Sequence, residues 1–157
     1  MFFAAERLPV VRRWILRGEG LSSIKEFQRS DFKELMQVMD GKPVTVRLLD
    51  PPLHEFLPKV SEVKADFATE LGYDDPQHLI EDIETMEEEN PMLGLRGCRL
   101  GITRPEITEM QVEAIMHAAA DLIEENSNPR PRIMVPLVGG VAEFQNQALL
   151  VKRTAER

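Results

Sequence analysis

The sequence predicts an α/β fold built on a parallel sheet. Three features carry that expectation: two apolar runs with strand character, a Gly-rich segment able to form a third, and helical stretches between them long enough to act as crossovers. Such crossovers are right-handed and join strands that run the same way. A closed barrel of this type takes eight βα units and roughly 250 residues. With about three strands in 157 residues, the expected architecture is an incomplete TIM-type (β/α) barrel, a single partial domain over 1–157.

Helical periodicity runs through Phe2 to Leu16 and again through Ser22 to Asp40, where Ile24, Phe27, Leu35, Met36 and Met39 share a face and Gly41 supplies the stop. In Pro43 to Leu49, Val44, Val46 and Leu48 alternate with Thr45, Arg47 and Leu49, and Asp50-Pro51-Pro52 ends the strand. Ser61 to Leu71, stopped by Gly72, and Pro76 to Glu89, opened by Asp75 as N-cap, read as short helices. The Gly-rich segment Leu93 to Ile102 reads as a strand or strand-like turn. Thr103 and Glu106 have the spacing of a capping box, followed by a helical face of Ile107, Met110, Ile115, Ala119, Leu122 and Ile123. Arg132 to Val138 is short, apolar and without alternation, as in a strand covered on both faces. Gly139-Gly140 leads into a last helix through Phe144 and Leu149.

Composition narrows the functions. At 43% hydrophobic and 29% charged residues the chain has the balance of a globular domain, and 6% aromatic content leaves the core to aliphatic residues and eight Met. A net charge of −8 opposes binding to nucleic acid or anionic membranes. One cysteine excludes an intramolecular disulfide; Glu6, Arg7, Arg12 and Arg13 interrupt any secretory signal at the start, and no run spans a membrane, so the cytoplasm is the expected compartment.

Arg47 is the first candidate site residue. A guanidinium at the C-terminal end of a parallel strand lies where barrel enzymes bind substrate, and its planar fork suits phosphate or carboxylate. A structural ion pair with Asp50 or Glu55 is the other reading. Arg96 and Arg99 flank Gly97, where guanidinium and backbone N–H groups can form an anion-binding concavity, or one of them can face elsewhere. Cys98, between them, reads as a reactive thiol or, more simply, as a small buried packing residue. His54, His78 and His117 lack metal-ligand spacing, and the acidic stretch Glu81 to Glu89 reads as a solvated helix face.

Two long stretches, Val46-Arg-Leu-Leu-Asp-Pro-Pro-Leu-His-Glu-Phe-Leu-Pro58 and Glu89-Asn-Pro-Met-Leu-Gly-Leu-Arg-Gly-Cys-Arg-Leu-Gly-Ile102, closely resemble the phosphoenolpyruvate-binding barrel of the pyruvate, phosphate dikinase family. Met1-Phe-Phe3 with Glu6-Arg7, Gln28 to Phe32, Arg104 to Ile107 with Met110-Gln111, and Arg132 to Val138 support the resemblance, which covers the chain to about Gly139. It implies a part in interconverting ATP, phosphate and pyruvate with AMP, diphosphate and phosphoenolpyruvate, with Mg²⁺ as the cofactor of the full-length, homodimeric family. It assigns Arg47 to the phosphoryl group of phosphoenolpyruvate and Arg96 to ordering the phosphate site. Leu95 departs from the His common at its position. The resemblance also implies that the first strand precedes Met1, and that the metal-binding Glu and Asp, a substrate-binding Asn and the proton-transferring Cys lie on later strands outside this chain. Alone, the chain is then expected to be inactive and to need the rest of the enzyme as partner. The rival expectation is a non-catalytic interaction module derived from a truncated barrel.

Overall fold

A computed structural model gives the fold and describes residues 5–87, 90 and 94–157. Phe2, Glu89 and Leu93, which the sequence places in two helices and a strand, lie outside the described residues. The described residues form an α/β fold, mostly helical and with two parallel strands, that divides into two compact units. No helix among the described residues is long and apolar enough to cross a membrane.

The first unit comprises Lys25–Pro51 and Leu95–Arg157. Strands β1 (Pro43–Arg47) and β2 (Arg130–Met134) pair in parallel from Pro43↔Arg130 to Arg47↔Met134. Period-two alternation turns Val44 and Val46 onto helices α2 (Leu21–Val38) and α6 (Pro105–Glu124), where they join Phe32, Met36, Ile115 and Leu122 in one apolar cluster. Ala114, Ala118 and Ala119 in the same cluster let that helix surface pack closely. Lys25–Glu113 and the bidentate Arg29–Asp121, whose two contacts are 2.8 and 3.0 Å, link α2 to α6, and Lys33 of α2 pairs with Glu125 just past the end of α6.

Several expectations for this unit are corrected. The buried stripe of α2 is Ile24, Gln28, Phe32 and Met36, a strict four-residue step that leaves Leu35 and Met39 exposed on its flank. The Gly-rich segment is not a strand; it forms helix α5 (Gly97–Thr103), whose buried positions 97, 98, 100 and 101 follow helical spacing. Among the described residues the strand count is therefore two, against the expected three or so. Thr103 is no cap, because it lies inside α5 with its hydroxyl donating to the Arg99 and Leu100 carbonyls, while Glu106 pairs with Arg104 at 2.9 Å. Ile123, expected on the buried face of α6, is exposed. The second strand ends at Met134, short of Val138, with Leu137 beyond it at φ 55°, and its alternating exposure shows cover on one face only. Helix α7 (Val141–Ala155) turns Gln147 and Thr154 inward and leaves Phe144 and Leu149 exposed.

The second unit comprises the described residues of Phe2–Ile24 and Pro52–Gly94. Helix α1 (Leu8–Arg17) starts later than the periodicity suggests and closes at Gly18, whose φ of 73° permits its N–H to reach the Trp14 carbonyl. Arg12, Arg13 and Arg17 donate to the carbonyls of Phe56, Glu70 and Gly72, satisfying backbone acceptors of the neighbouring turns. The expected helix over Ser61 to Leu71 is broken into a 3₁₀ turn, Val60–Glu62, and α3 (Ala65–Glu70). Helix α4 (Pro76–Met86) opens as expected, with the Asp75 carboxylate accepting the Gln77 N–H at 2.9 Å.

Tyr73, the chain's one tyrosine, is buried here and donates to Asp82. Burial first, then the hydrogen bond to Asp82 and that residue's charge, push its pKa up to about 12. The fold thus favours the neutral phenol. That contribution to stability is present below the unfolded value of about 10 and is lost as pH rises through the folded value. Alkaline titration followed by tyrosinate absorbance is expected to give a midpoint near 12 in the native chain, falling to about 10 in denaturant; a native midpoint near 10 overturns the buried setting of Tyr73 together with its bond to Asp82.

Candidate functional site

The candidate residues collect in the first unit where β1 ends. Arg47 is the last residue of β1, with a side chain 62% exposed. Three residues on, after Leu48 and Leu49 turn into the core, Asp50 receives two arginines on the same oxygen: Arg96 Nη2 at 2.9 Å and Arg47 Nη1 at 3.7 Å from Oδ2. The contacts differ in kind. Arg96 also donates through Nε to the Asp50 carbonyl at 3.2 Å, and its side chain and that of Asp50 are only 14% and 15% exposed. The Arg47 contact is too long for a hydrogen bond. Arg96 is thus fixed by carboxylate and carbonyl together, whereas Arg47 keeps its donors directed to solvent.

Gly97 makes this junction possible. Its N–H donates to the Asp50 carbonyl at 3.2 Å, its φ is 58°, and a Cβ would fall 2.7 Å from the Leu137 Cβ. Only glycine accepts both the left-handed conformation and that approach. The next residue, Cys98, donates its N–H to the Pro136 carbonyl and its thiol to the Leu137 carbonyl, each at 3.1 Å. Burial, then the Glu143 charge, push its thiol pKa up against the opposing effect of Arg99. Of the two sequence readings, the buried packing residue is the one the geometry gives.

Arg99 is turned away from Arg96. Its Nε donates to Glu143 Oε1 at 3.1 Å, while Glu143 Oε2 accepts the N–H groups of Gly139 and Gly140 at 2.8 and 3.0 Å. Those bonds, the Gly139 N–H first and Arg99 second, hold the Glu143 carboxyl below its ordinary value. Arg99 therefore braces the start of α7, and the expected concavity formed by both arginines is replaced by two separate ion pairs.

Beneath the site lies a polar network that hydrophobic periodicity does not reveal. Gln111 Oε1 accepts the Leu49 N–H at 2.8 Å, and its Nε2 donates to Gln28; the Thr108 hydroxyl donates to Gln147 Oε1 at 2.8 Å. All four of these side chains are buried. The first pair satisfies the backbone just where the strand stops pairing, between Arg47 and Asp50. His78 and His117 are exposed on α4 and α6, and no three His, Cys, Asp or Glu side chains gather as a metal site among the described residues. Asp50 turns Oδ2 to Arg96 and buries Oδ1 without a hydrogen-bond partner, and no further carboxylates gather beside it among the described residues, so these residues do not fit a Mg²⁺ ion.

An α/β unit with an open arginine at a strand's C-terminal end and a second, anchored one beside it is a scaffold for holding an oxyanion. The whole chain, residues 1–157, matches the family described as PEP-utilising enzyme, PEP-binding domain, and the chain belongs to that family. Within it the similarity is to pyruvate, phosphate dikinases. The chain is 44% identical over 165 residues to pyruvate, phosphate dikinase 1, chloroplastic, of Arabidopsis thaliana, and 46% identical over 166 residues to pyruvate, phosphate dikinase 2 of Zea mays. Both alignments take in 100% of this chain, which spans 17% and 19% of the length of those two proteins.

Proposed function

We propose that this chain is the part of a pyruvate, phosphate dikinase that holds the phosphate of phosphoenolpyruvate, in an enzyme interconverting ATP, phosphate and pyruvate with AMP, diphosphate and phosphoenolpyruvate. The observation that carries the reading is the Arg47–Asp50–Arg96 arrangement, found within a chain similar to dikinases over its entire length. In this mechanism the Arg47 fork binds phosphoryl oxygens bidentately, and Asp50, held by Arg96, sets where the strand end and its arginine lie. Arg96 orders the phosphate site through that carboxylate.

Phosphoryl transfer requires several charged groups acting together on the transferred group. Of the two arginines assigned here, Arg47 meets the phosphoryl group and Arg96 acts through Asp50. The reading therefore assigns the metal carboxylates holding Mg²⁺, the remaining substrate ligands and the phosphate carrier to the rest of a homodimeric enzyme, with this chain as one part of a (β/α) barrel. The cytoplasm is the proposed compartment, to be checked by fractionation, since the Arabidopsis relative is named chloroplastic. The test is a dikinase assay on the purified chain alone and on the chain joined to the remainder of a related enzyme. Activity is expected only in the joined form. Turnover by the chain alone, abolished by Arg47→Ala, overturns the division of labour, and an inactive but folded joined enzyme overturns the reading.

One observation favours a non-catalytic interaction module instead: α7 exposes Val141, Phe144 and Leu149, apolar residues that a partner chain would cover. A folded joined enzyme without activity, together with a defined complex of the chain on size exclusion, would favour it.

A further inference from the structure

The outer face of the β1–β2 pair is cationic. Strand pairing puts Thr45 opposite Arg132 and Arg47 opposite Met134, and the exposed positions on the two strands are Pro43, Thr45 and Arg47 and Arg130, Arg132 and Met134. Opposite residues in a paired sheet point to the same side, so Arg47 and Arg132 are diagonal neighbours on that face. A strand spacing of about 4.8 Å and a rise of about 6.6 Å over two residues put their Cα atoms roughly 8 Å apart. Two arginine side chains easily meet over that distance.

No acidic residue stands among those six exposed positions, in a chain whose net charge is −8. Among the described residues Arg132 forms no ion pair, and that of Arg47 is the loose 3.7 Å contact with Asp50. Like charges paired across strands repel, and an anion seated between them removes that repulsion. The Thr45 position, opposite Arg132 and two residues before Arg47, places a hydroxyl donor beside the pair.

We propose that Arg132 is a further phosphate ligand, its guanidinium and that of Arg47 bridging one phosphate group of the substrate over the outer face of the sheet. This rests on the proposed role of Arg47 and extends it to a residue on the neighbouring strand. The sheet supplies its own control. Arg130 has the same charge on the same face and strand but lies two residues further from Arg47, roughly 14 Å away between Cα atoms, too far to share a phosphate with it.

The experiment is calorimetric titration of the full 157-residue chain with inorganic phosphate and, separately, with phosphoenolpyruvate, at fixed salt, for wild type, Arg132→Gln, Arg130→Gln, Arg47→Gln and the double variant Arg47→Gln/Arg132→Gln. Arg132→Gln and Arg47→Gln are each expected to weaken binding about tenfold or more, and the double variant to fall short of the product of the two; Arg130→Gln, acting only through long-range charge, is expected to change it less than about threefold. Thermal melts that match wild type exclude misfolding, since all three arginines are exposed. If Arg132→Gln behaves like Arg130→Gln while Arg47→Gln weakens binding, the bridge is overturned and the role of Arg47 stands. If all three variants show the same small loss, both fall. Absence of saturable binding by wild type also overturns the bridge, and the dikinase reading is then decided by the activity assay on the joined enzyme.

Discussion

Replacing Arg47 by Ala in the joined enzyme is expected to lower kcat/KM for phosphoenolpyruvate by about 10²–10³-fold, the loss typical of removing one well-placed donor from a developing charge. The same change is expected to leave the melting temperature of the chain almost unmoved. Arg47 is 62% exposed and its contact with Asp50 is 3.7 Å, so little stability rests on it. Arg47→Lys separates charge from geometry: lysine keeps the positive charge but cannot make two parallel hydrogen bonds to one phosphate, and most of the defect should remain. Lys59→Ala, an exposed change in the other compact unit, serves as the control and should behave as wild type. Kinetics of Arg47→Ala indistinguishable from Lys59→Ala would remove Arg47 from the site.

The part of this site visible in the sequence is the part governed by period-two patterning. Val44 and Val46 alternate with Thr45 and Arg47 because one face of the strand meets α2 and α6 and the other meets solvent; the alternation puts Arg47 near the strand's C-terminal end, and its exposure comes from the fold. The second strand carries the same alternation in space but hides it in sequence, since Ile133 packs inward while Met134, equally apolar, faces out. Helix α5 is hidden in the sequence for a different reason. Glycines at 97 and 101 suggest a turn or bulge, yet Gly97 serves the tight approach to Leu137, and Gly101 sits against Thr108 and Gln147, which a Cβ there would meet at 2.7 and 2.4 Å. Those are tertiary constraints. The burial of Gln28, Gln111 and Gln147 is not legible from periodicity because a buried polar residue contradicts the apolar stripe by which a buried face is recognised. Only the strand-end N–H of Leu49 explains why Gln111 belongs there.

Asp50→Ala is expected to produce the largest loss of stability among the site residues, about 2–4 kcal/mol. Removing one partner from a buried ion pair typically costs about 3–5 kcal/mol, and the 15% and 14% exposure of Asp50 and Arg96 lessens that loss. Removal of the carboxylate takes from the Arg96 guanidinium its 2.9 Å contact in a setting where water replaces it poorly. The backbone bonds to the Asp50 carbonyl, from Arg96 Nε and the Gly97 N–H, are untouched by the substitution, so α5 should keep its start and the fold its topology. The change should therefore lower the urea midpoint with little change in the denaturant slope. Asp50→Asn, which keeps shape and one acceptor oxygen but not charge, should lose less. A cycle with Arg96→Met tests the origin directly: if the ion pair is responsible, the double variant is far less destabilised than the sum of the singles. Additive losses, or an Asp50→Ala effect below about 0.5 kcal/mol, the range of ordinary surface changes, would mean that Asp50 does not anchor Arg96. The same variants also report on binding. Among the described residues Asp50 is the carboxylate paired with both arginines, so its loss should weaken phosphate binding through misplacement even though it removes a negative charge, whereas simple electrostatics predicts the opposite sign. Tighter phosphate binding by Asp50→Ala would therefore identify Asp50 as a competitor for Arg47 and rule out a positioning role.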